Sequence, residues 1–185
     1  MTESWVMPFD RLLATRYDPN RELEAIEILD QHPHLATRRW LESEEKGQPF
    51  IKGSTALHYA ANDGKLKLMS RLVEYGADVN ASEACWFRSV LSWAANNARL
   101  EGLRWLLARG AKPDSLDALH AAAWGGPSGG SDETRDYAAA LRLLIEAGAD
   151  KNDSRHCDGR TPLQVAMEIG HQNAIRYLRS IGATE

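Results

Sequence analysis

The sequence predicts an all-α solenoid, a stack of helix-turn-helix units joined by β-hairpin-like finger loops. One observation is self-similarity, since four segments of the chain align with one another. They are STALHYAANDG from Ser54, RSVLSWAANNA from Arg88, LDALHAAAWGG from Leu116 and RTPLQVAMEIG from Arg160. A second observation is that each segment is followed by an apolar stretch with helical spacing and then by a Gly-Ala pair. Units repeated in this way stack and bury one shared core.

The first helix of each unit has a start signal. A Thr or Ser hydroxyl accepts hydrogen bonds from the free N–H groups of a helix start, and Thr55, Ser89 and Thr161 occupy this position. Pro162 follows Thr161 and suits the first helical turn. Small residues then allow neighbouring helices to approach closely: Ala60, Ala61, Ala94, Ala95, Ala122 and Ala123.

The second helix carries apolar residues on one stripe, which in the second unit are Leu66, Met69, Leu72 and Val73. A glycine ends each of these helices, because glycine adopts the left-handed conformation at little cost. The glycines are Gly76, Gly110, Gly148 and Gly182, and the interval from the capping position is 21 residues in three units and 31 in the unit that begins at Asp117. The long unit therefore contains an insertion.

The two ends of the chain differ from the middle. Arg179 stands where the other units have Val73, Leu107 and Ile145, which suits a helix face with no neighbour beyond it. At the other end, Met7, Phe9, Leu12 and Leu13 predict a short first helix, with Asn20 opening the second. These capped ends lead us to expect a complete unit.

This pattern resembles the ankyrin repeat, whose signature is T-P-L-H-x-A at a period near 33 residues. Thr161-Pro162-Leu163 is the best match to its start, and Leu57-His58 and Leu119-His120 keep the Leu-His pair. The resemblance covers about residues 53–184, and NRELEAIEILDQHP resembles the second helix of a degenerate first repeat. We predict one domain over 1–185 with five repeats, of which the outer two are atypical. Their approximate ranges are 4–36, 53–81, 87–113, 115–152 and 159–185, with inserted loops at 38–52 and 125–135.

The resemblance implies a structural role for the histidines of the Leu-His pair. His58 and His120 are expected to hydrogen-bond neighbouring loops. Ser92 and Gln164 occupy the same slot in the other repeats, so the requirement is for a polar bonding group rather than for imidazole chemistry.

Composition excludes several classes of function. The chain is 43% apolar and 26% charged, as expected for a protein that buries a core, and its formal charge of −4 predicts neither nucleic-acid nor membrane binding. The N-terminus lacks the features of a secretory signal, and no apolar run is long enough to span a bilayer. Cys85 and Cys157 form no paired framework, which favours a reducing, cytoplasmic compartment.

No motif predicts an enzyme, a metal site or a cofactor. His156, Cys157 and Asp158 are adjacent in sequence, and adjacent side chains rarely share one tetrahedral ion. The GGPSGG segment lacks the lysine of a phosphate-binding loop and does not follow a strand. We therefore assign no catalytic residue, no metal ligand and no cofactor.

One finger is predicted to be short. Gly110 and Asp117 are seven residues apart, whereas the corresponding interval is thirteen in Gly76–Ser89 and in Gly148–Thr161. A missing finger would leave a notch in the row. Cys85 and Trp86 would lie on one side of it, and Arg155, His156 and Cys157 on the other.

Family geometry implies that finger loops and the ends of the first helices face a partner. The predicted contact residues are Trp86, Arg88, Asn62, Asp63, Asn96, Asn97, Trp124, Arg155, His156 and Glu168. Trp124 is either an interface anchor, a role in which aromatic residues are enriched, or folds onto the inserted loop. Trp93 and Trp105 lie within helices and are predicted to belong to the core.

The function we expect is protein–protein recognition by an adaptor, a regulator or an inhibitor of the immunity-protein type. The acidic charge suits a basic partner, although the partner's identity does not follow from the sequence. The alternative is a small-molecule-binding or enzymatic protein that uses the notch. We expect a monomer, with self-association through Trp5 and Trp40 as a third possibility.

Overall fold

The predicted all-α solenoid is confirmed. The computed structural model describes residues 8–15, 18–40, 51–83, 88–113, 117–126, 135–155 and 159–185. Within these residues the helices form five consecutive pairs. They are α1 Pro8–Ala14 and α2 Glu22–Gln31, α3 Ala56–Asp63 and α4 Leu66–Glu74, α5 Val90–Asn96 and α6 Leu100–Leu107, α7 Ala118–Trp124 and α8 Tyr137–Glu146, and α9 Pro162–Glu168 and α10 Gln172–Ser180.

The pairs stack in two rows, one of first helices and one of second helices. The alanines near the middle of α3, α5 and α7 are buried at the contacts between first helices, as predicted from their small size. A single apolar core runs through the stack from Phe9 to Leu178. Val73, Leu107 and Ile145 pack against it, whereas Arg179 at the end of the stack is exposed.

The predicted helix starts are also confirmed. Thr55 forms a capping box with His58, and Thr161 forms one with Gln164. Ser89 accepts a hydrogen bond from the backbone N–H of Ser92. These bonds satisfy N–H groups that have no partner within their own helix.

The N-terminal repeat differs from the prediction in one detail. Phe9, Leu12 and Leu13 are buried in α1 as expected, while Met7 lies outside the described residues. Asp18, not Asn20, makes the cap, because its carboxylate accepts from the Asn20 N–H at 2.8 Å. The turn thus begins at Pro19, whose fixed φ suits a first helical position, and α2 follows the short 3₁₀ helix Pro19–Arg21.

A polar side chain just before a second helix reaches back to the preceding repeat. The Nζ of Lys65 donates to the Thr15 carbonyl at 2.9 Å, and the Nε of Arg99 donates to the Asn62 carbonyl at 2.9 Å. The Nδ1 of His171 lies 3.0 Å from the Ala123 carbonyl. Each of these carbonyls belongs to the end of a first helix, where no intrahelical N–H is available. The repeats therefore complete one another's hydrogen bonding.

The fingers are joined in a similar way. Asn80 donates to the Gly110 carbonyl at 3.1 Å and accepts from the Lys112 N–H at 2.9 Å. Asn152 accepts from the Thr184 N–H at 2.9 Å in the next pair of repeats. Sequence analysis missed both asparagines, although each stands four residues after the glycine that ends its second helix. None of the helices in the described residues is both long and apolar enough to cross a membrane.

Both histidines of the Leu-His pair are buried in the fold, but only His120 makes the predicted hydrogen bond to a neighbouring loop. The Nε2 of His120 lies 2.8 Å from the Arg160 carbonyl in the next finger. The Nδ1 of His58 accepts from the Thr55 N–H of its own repeat at 3.1 Å, and its ring meets the Trp93 ring edge-on. The His58 Nε2 is buried and has no hydrogen-bond partner among the described residues, so the predicted bond to a neighbouring loop is not formed there. Burial lowers the pKa of His58 to about 4.

This burial predicts acid sensitivity. His58 stays neutral in the folded chain down to a pH of about 4, whereas in the unfolded chain it takes up a proton near 6.5. The free energy of unfolding should therefore fall as the pH falls between these values, by roughly 3 kcal/mol for the whole interval. The His58→Gln variant keeps an acceptor for the Thr55 N–H, as Gln164 does for Thr161. We expect this variant to lose much less stability between pH 7 and pH 4.

Urea unfolding at pH 7, 5.5 and 4 measures the difference. The exposed His34 is the matched control, so His34→Gln should follow the wild type at all three values. An unchanged acid-induced loss in His58→Gln would show that the buried imidazole does not limit stability.

Candidate functional site

Two adjacent cavities lie along the row of first helices, and together we call them the groove. The proximal cavity, about 190 Å³, is lined by Ile51, Asn62, Arg88, Ser92, Trp93, Asn96 and Ala121. The distal cavity, about 110 Å³, is lined by Arg88, Asn96, Asp117, His120, Ala121, Trp124, Arg160 and Val165. Arg88, Asn96 and Ala121 belong to both cavities, so the two form one continuous surface.

The floor of the proximal cavity is aromatic. The ring of Trp93 is 7% exposed and meets the Tyr59 ring edge-on, with centroids 5.0 Å apart. Its position confirms that Trp93 belongs to the core. Trp105 is half-buried against the same core and is covered by the Arg109 guanidinium at 3.8 Å.

Trp124 forms a wall of the distal cavity and is 41% exposed. It is the last residue of α7 and occupies the same repeat position as Asn96 in α5, so the two residues share one side of the stack. The neighbouring inserted residues 127–134 lie outside the described residues. The alternative in which Trp124 folds onto the insertion is therefore not tested.

Arg88 reaches both cavities from the finger that precedes α5. Its side chain is exposed, and within the described part of the chain its guanidinium has no hydrogen bond, ion pair or ring contact. Two other arginines of the finger side are engaged, since Arg160 pairs with Glu168 and Arg155 pairs with Asp153 at 2.7 Å. The hydrogen bond from Arg155 lowers the pKa of the Asp153 carboxyl.

Asn97 is placed differently from the other predicted contact residues. It is 5% exposed, and its amide donates to the Asn62 side-chain oxygen at 2.6 Å while accepting from Arg135 at 2.5 Å. The Gly126 N–H donates to the Asn96 carbonyl at 2.6 Å. Both ends of the insertion are thus tied to the end of α5. Asn97 does not line the groove, because its polar atoms bond to other residues of the chain. It holds the groove residue Asn62 in place instead.

Asp63 and Glu168 lie beside the groove rather than in it. Asp63 accepts from the Asn62 amide at 2.8 Å and lines a separate small cavity with Lys65 between α1 and α3. Glu168 is exposed and contacts the groove only through its ion pair with Arg160.

Asp117 follows the short connection that predicts the notch, and it lines the distal cavity together with Arg88 and Arg160 of the flanking fingers. Trp86 and His156 lie outside the described residues, as do residues 114–116, so the notch stays a prediction.

Sequence analysis did not select Arg160, although a signal for it existed. Arg160 directly precedes Thr161, just as Arg88 directly precedes Ser89. The two arginines therefore occupy equivalent repeat positions. Among the described residues, no group of three His, Cys, Asp or Glu side chains is arranged to hold a metal ion.

Comparison with known proteins agrees with the repeat pattern. Residues 22–117 match a family model described as three copies of the ankyrin repeat. The human cyclin-dependent kinase 4 inhibitor B is 32% identical over 147 residues, which is 76% of this chain and 97% of that protein. The mouse B-cell lymphoma 3 protein homolog is 35% identical over 62% of this chain, but the match spans only 24% of its own length. A protein of Arabidopsis thaliana named "Probable protein S-acyltransferase 23" is 29% identical over 69% of this chain and 23% of its own length.

The buried amide of Asn97 generates a prediction. The Asn97→Ala substitution should lower the free energy of unfolding by roughly 1–3 kcal/mol, because it leaves the partners of a buried amide unsatisfied. The neighbouring Asn96→Ala is the control, since the Asn96 carbonyl accepts the bond from Gly126 and its side chain is half-exposed. The control should change stability by less than about 0.5 kcal/mol. Urea denaturation measures both variants, and equal losses would contradict the supporting role of Asn97.

Proposed function

Because the chain belongs to the ankyrin-repeat family, we propose that it is a protein-binding module that holds a segment of its partner in the groove. Stacked repeats present an extended curved surface of this kind. The observation that carries the proposal is the pairing of an exposed tryptophan, Trp124, with an uncommitted arginine, Arg88, at one continuous groove. Trp and Arg are the residues most enriched at the energetic centres of protein interfaces.

The shape of the cavities favours a protein partner over a small molecule. Sites for small molecules bury most of the ligand's surface, whereas these two cavities, of about 190 and 110 Å³, are partly open and lie side by side along the stack. Shallow, connected cavities suit the successive side chains of a bound polypeptide. We therefore propose a binding role without catalysis.

The comparisons favour a regulator. One relative, which is matched over 97% of its own length, is named as an inhibitor of a cyclin-dependent kinase. We propose that this chain likewise acts by binding, as an adaptor, a regulator or an inhibitor, without inferring the same target. We also propose a reducing, cytoplasmic compartment, because Cys85 and Cys157 form no paired framework in the sequence.

Trp124→Ala tests the proposal. Partner proteins are captured from a lysate of the cells that express the chain, identified by mass spectrometry, purified and measured by isothermal titration calorimetry. Truncating an interface anchor should weaken binding by about 2 kcal/mol or more, roughly a 30-fold rise in Kd. The fold should persist, since the side chain is 41% exposed.

The matched control is Leu23→Ala, which truncates an exposed apolar residue, 63% accessible, on α2 of the first repeat. Its partner affinity should equal that of the wild type. Partners that bind the wild type, Trp124→Ala and Leu23→Ala equally would place recognition away from the groove and contradict the proposal.

A further inference from the structure

Resting on the proposed function, we propose that the groove recognises an acidic segment of the partner, in which a carboxylate binds Arg88 and an adjacent apolar side chain lies beside Trp124. The proposal names the chemistry of the bound segment, which the family likeness does not supply. It also differs from the basic partner that the net charge of the whole chain suggests.

The first support is that Arg88 is exceptional among the arginines. Every other arginine in the described residues contacts a carboxylate, a carbonyl, an amide or an aromatic ring. The Arg88 guanidinium makes no such contact there, although it stands at the junction of both cavities. A guanidinium is always charged near neutral pH and offers paired N–H donors that match a carboxylate.

The second support is the charge of the proximal cavity. Arg88 is the only charged residue among its described lining residues. Asn96 lines the same cavity, and its side-chain amide bonds to no group in the described residues, which makes it a second donor for one carboxylate. Trp93 at the floor excludes water from part of this cavity, and a lower local dielectric strengthens an ion pair.

The third support is that acids near the fingers are committed elsewhere. Asp78 accepts from the Asn80 N–H at 2.8 Å, and Asp150 accepts from the Asn152 N–H at 2.9 Å. Asp153 is bound by Arg155, which neutralises it. Glu83, in the same finger as Arg88, is buried and accepts from the Arg88 backbone N–H at 3.4 Å. These acidic groups of the fingers therefore serve the fold, while the Arg88 guanidinium is left to a partner.

The distal cavity indicates which side chain of the partner's segment lies next to the carboxylate. Trp124, Ala121 and Val165 give it apolar walls. Its charged lining residues are Arg88, Asp117 and Arg160, of which Arg160 pairs with Glu168 beside the groove. An apolar side chain next to the carboxylate fits these walls. A single free arginine suits a carboxylate, whereas phosphorylated motifs are generally bound by arginine clusters.

A peptide-display library of random twelve-residue segments, selected on the whole folded chain, tests the proposal. Selected peptides should be enriched in Asp or Glu beside an apolar residue. A synthetic peptide from this set should bind Arg88→Glu at least tenfold more weakly by fluorescence anisotropy, with an affinity that decreases as salt increases. Arg176→Glu, on α10 and outside the groove, makes the same change in charge and should bind as the wild type does.

A charge swap distinguishes a direct ion pair between Arg88 and the peptide carboxylate from a general electrostatic attraction. Replacing the acidic residue of the peptide by Lys should abolish binding to the wild type and restore part of the binding to Arg88→Glu. Circular dichroism of each variant checks that the chain is folded before the affinities are compared.

The outcomes distinguish this inference from the proposed function. Peptides that lose affinity with Trp124→Ala but show no acidic preference and no effect of Arg88→Glu would overturn the acidic-segment inference and leave the groove as the binding site. Peptides whose affinity changes with neither substitution would also overturn the inference. So would a selection on the wild type that enriches no more peptides than a selection on the Arg88→Glu, Trp124→Ala double variant. The proposed function would then be judged by partner capture alone.

Discussion

The carbonyl groups at the end of each first helix are the constraint on which the stack depends. They have no N–H donors within their own short helix, and burying them unpaired between repeats would be costly. Lys65, Arg99 and His171 supply these donors from the following repeat. The first, second and fourth repeats are therefore incomplete without the repeat that follows, in their hydrogen bonds as well as in their apolar faces.

The groove follows from this arrangement. Capping boxes, inter-repeat donors and finger asparagines satisfy backbone groups at the helix ends and in the fingers. Asn96 and Trp124 occupy equivalent repeat positions there, and Arg88 lines the same cavity. Side chains that the fold does not use remain available for recognition.

Two adjacent residues, Asn96 and Asn97, differ in whether their side chains line the groove or bond within the fold. Asn96 lines the groove with its side chain, whereas Asn97 is buried and joins Asn62 to Arg135. Gly126 and Arg135, which stand on either side of the inserted residues, are thereby bonded to the end of α5. A side chain that lines the groove and one that is buried thus stand next to each other at the end of a single helix.

The sequence by itself determined the helix pairs, the capping residues Thr55, Ser89 and Thr161, and the core, because these depend on local periodicity and on the residue types at fixed intervals. It also identified Arg88, Asn96 and Trp124 as candidates from their repeat positions. Only the tertiary structure decided which candidates face solvent. Asn97 turns inward, and Asp63 lines a different cavity, because their surroundings come from neighbouring repeats. The net charge of −4 likewise concealed the unpaired cation of the groove, since composition does not record which charges neutralise one another in space.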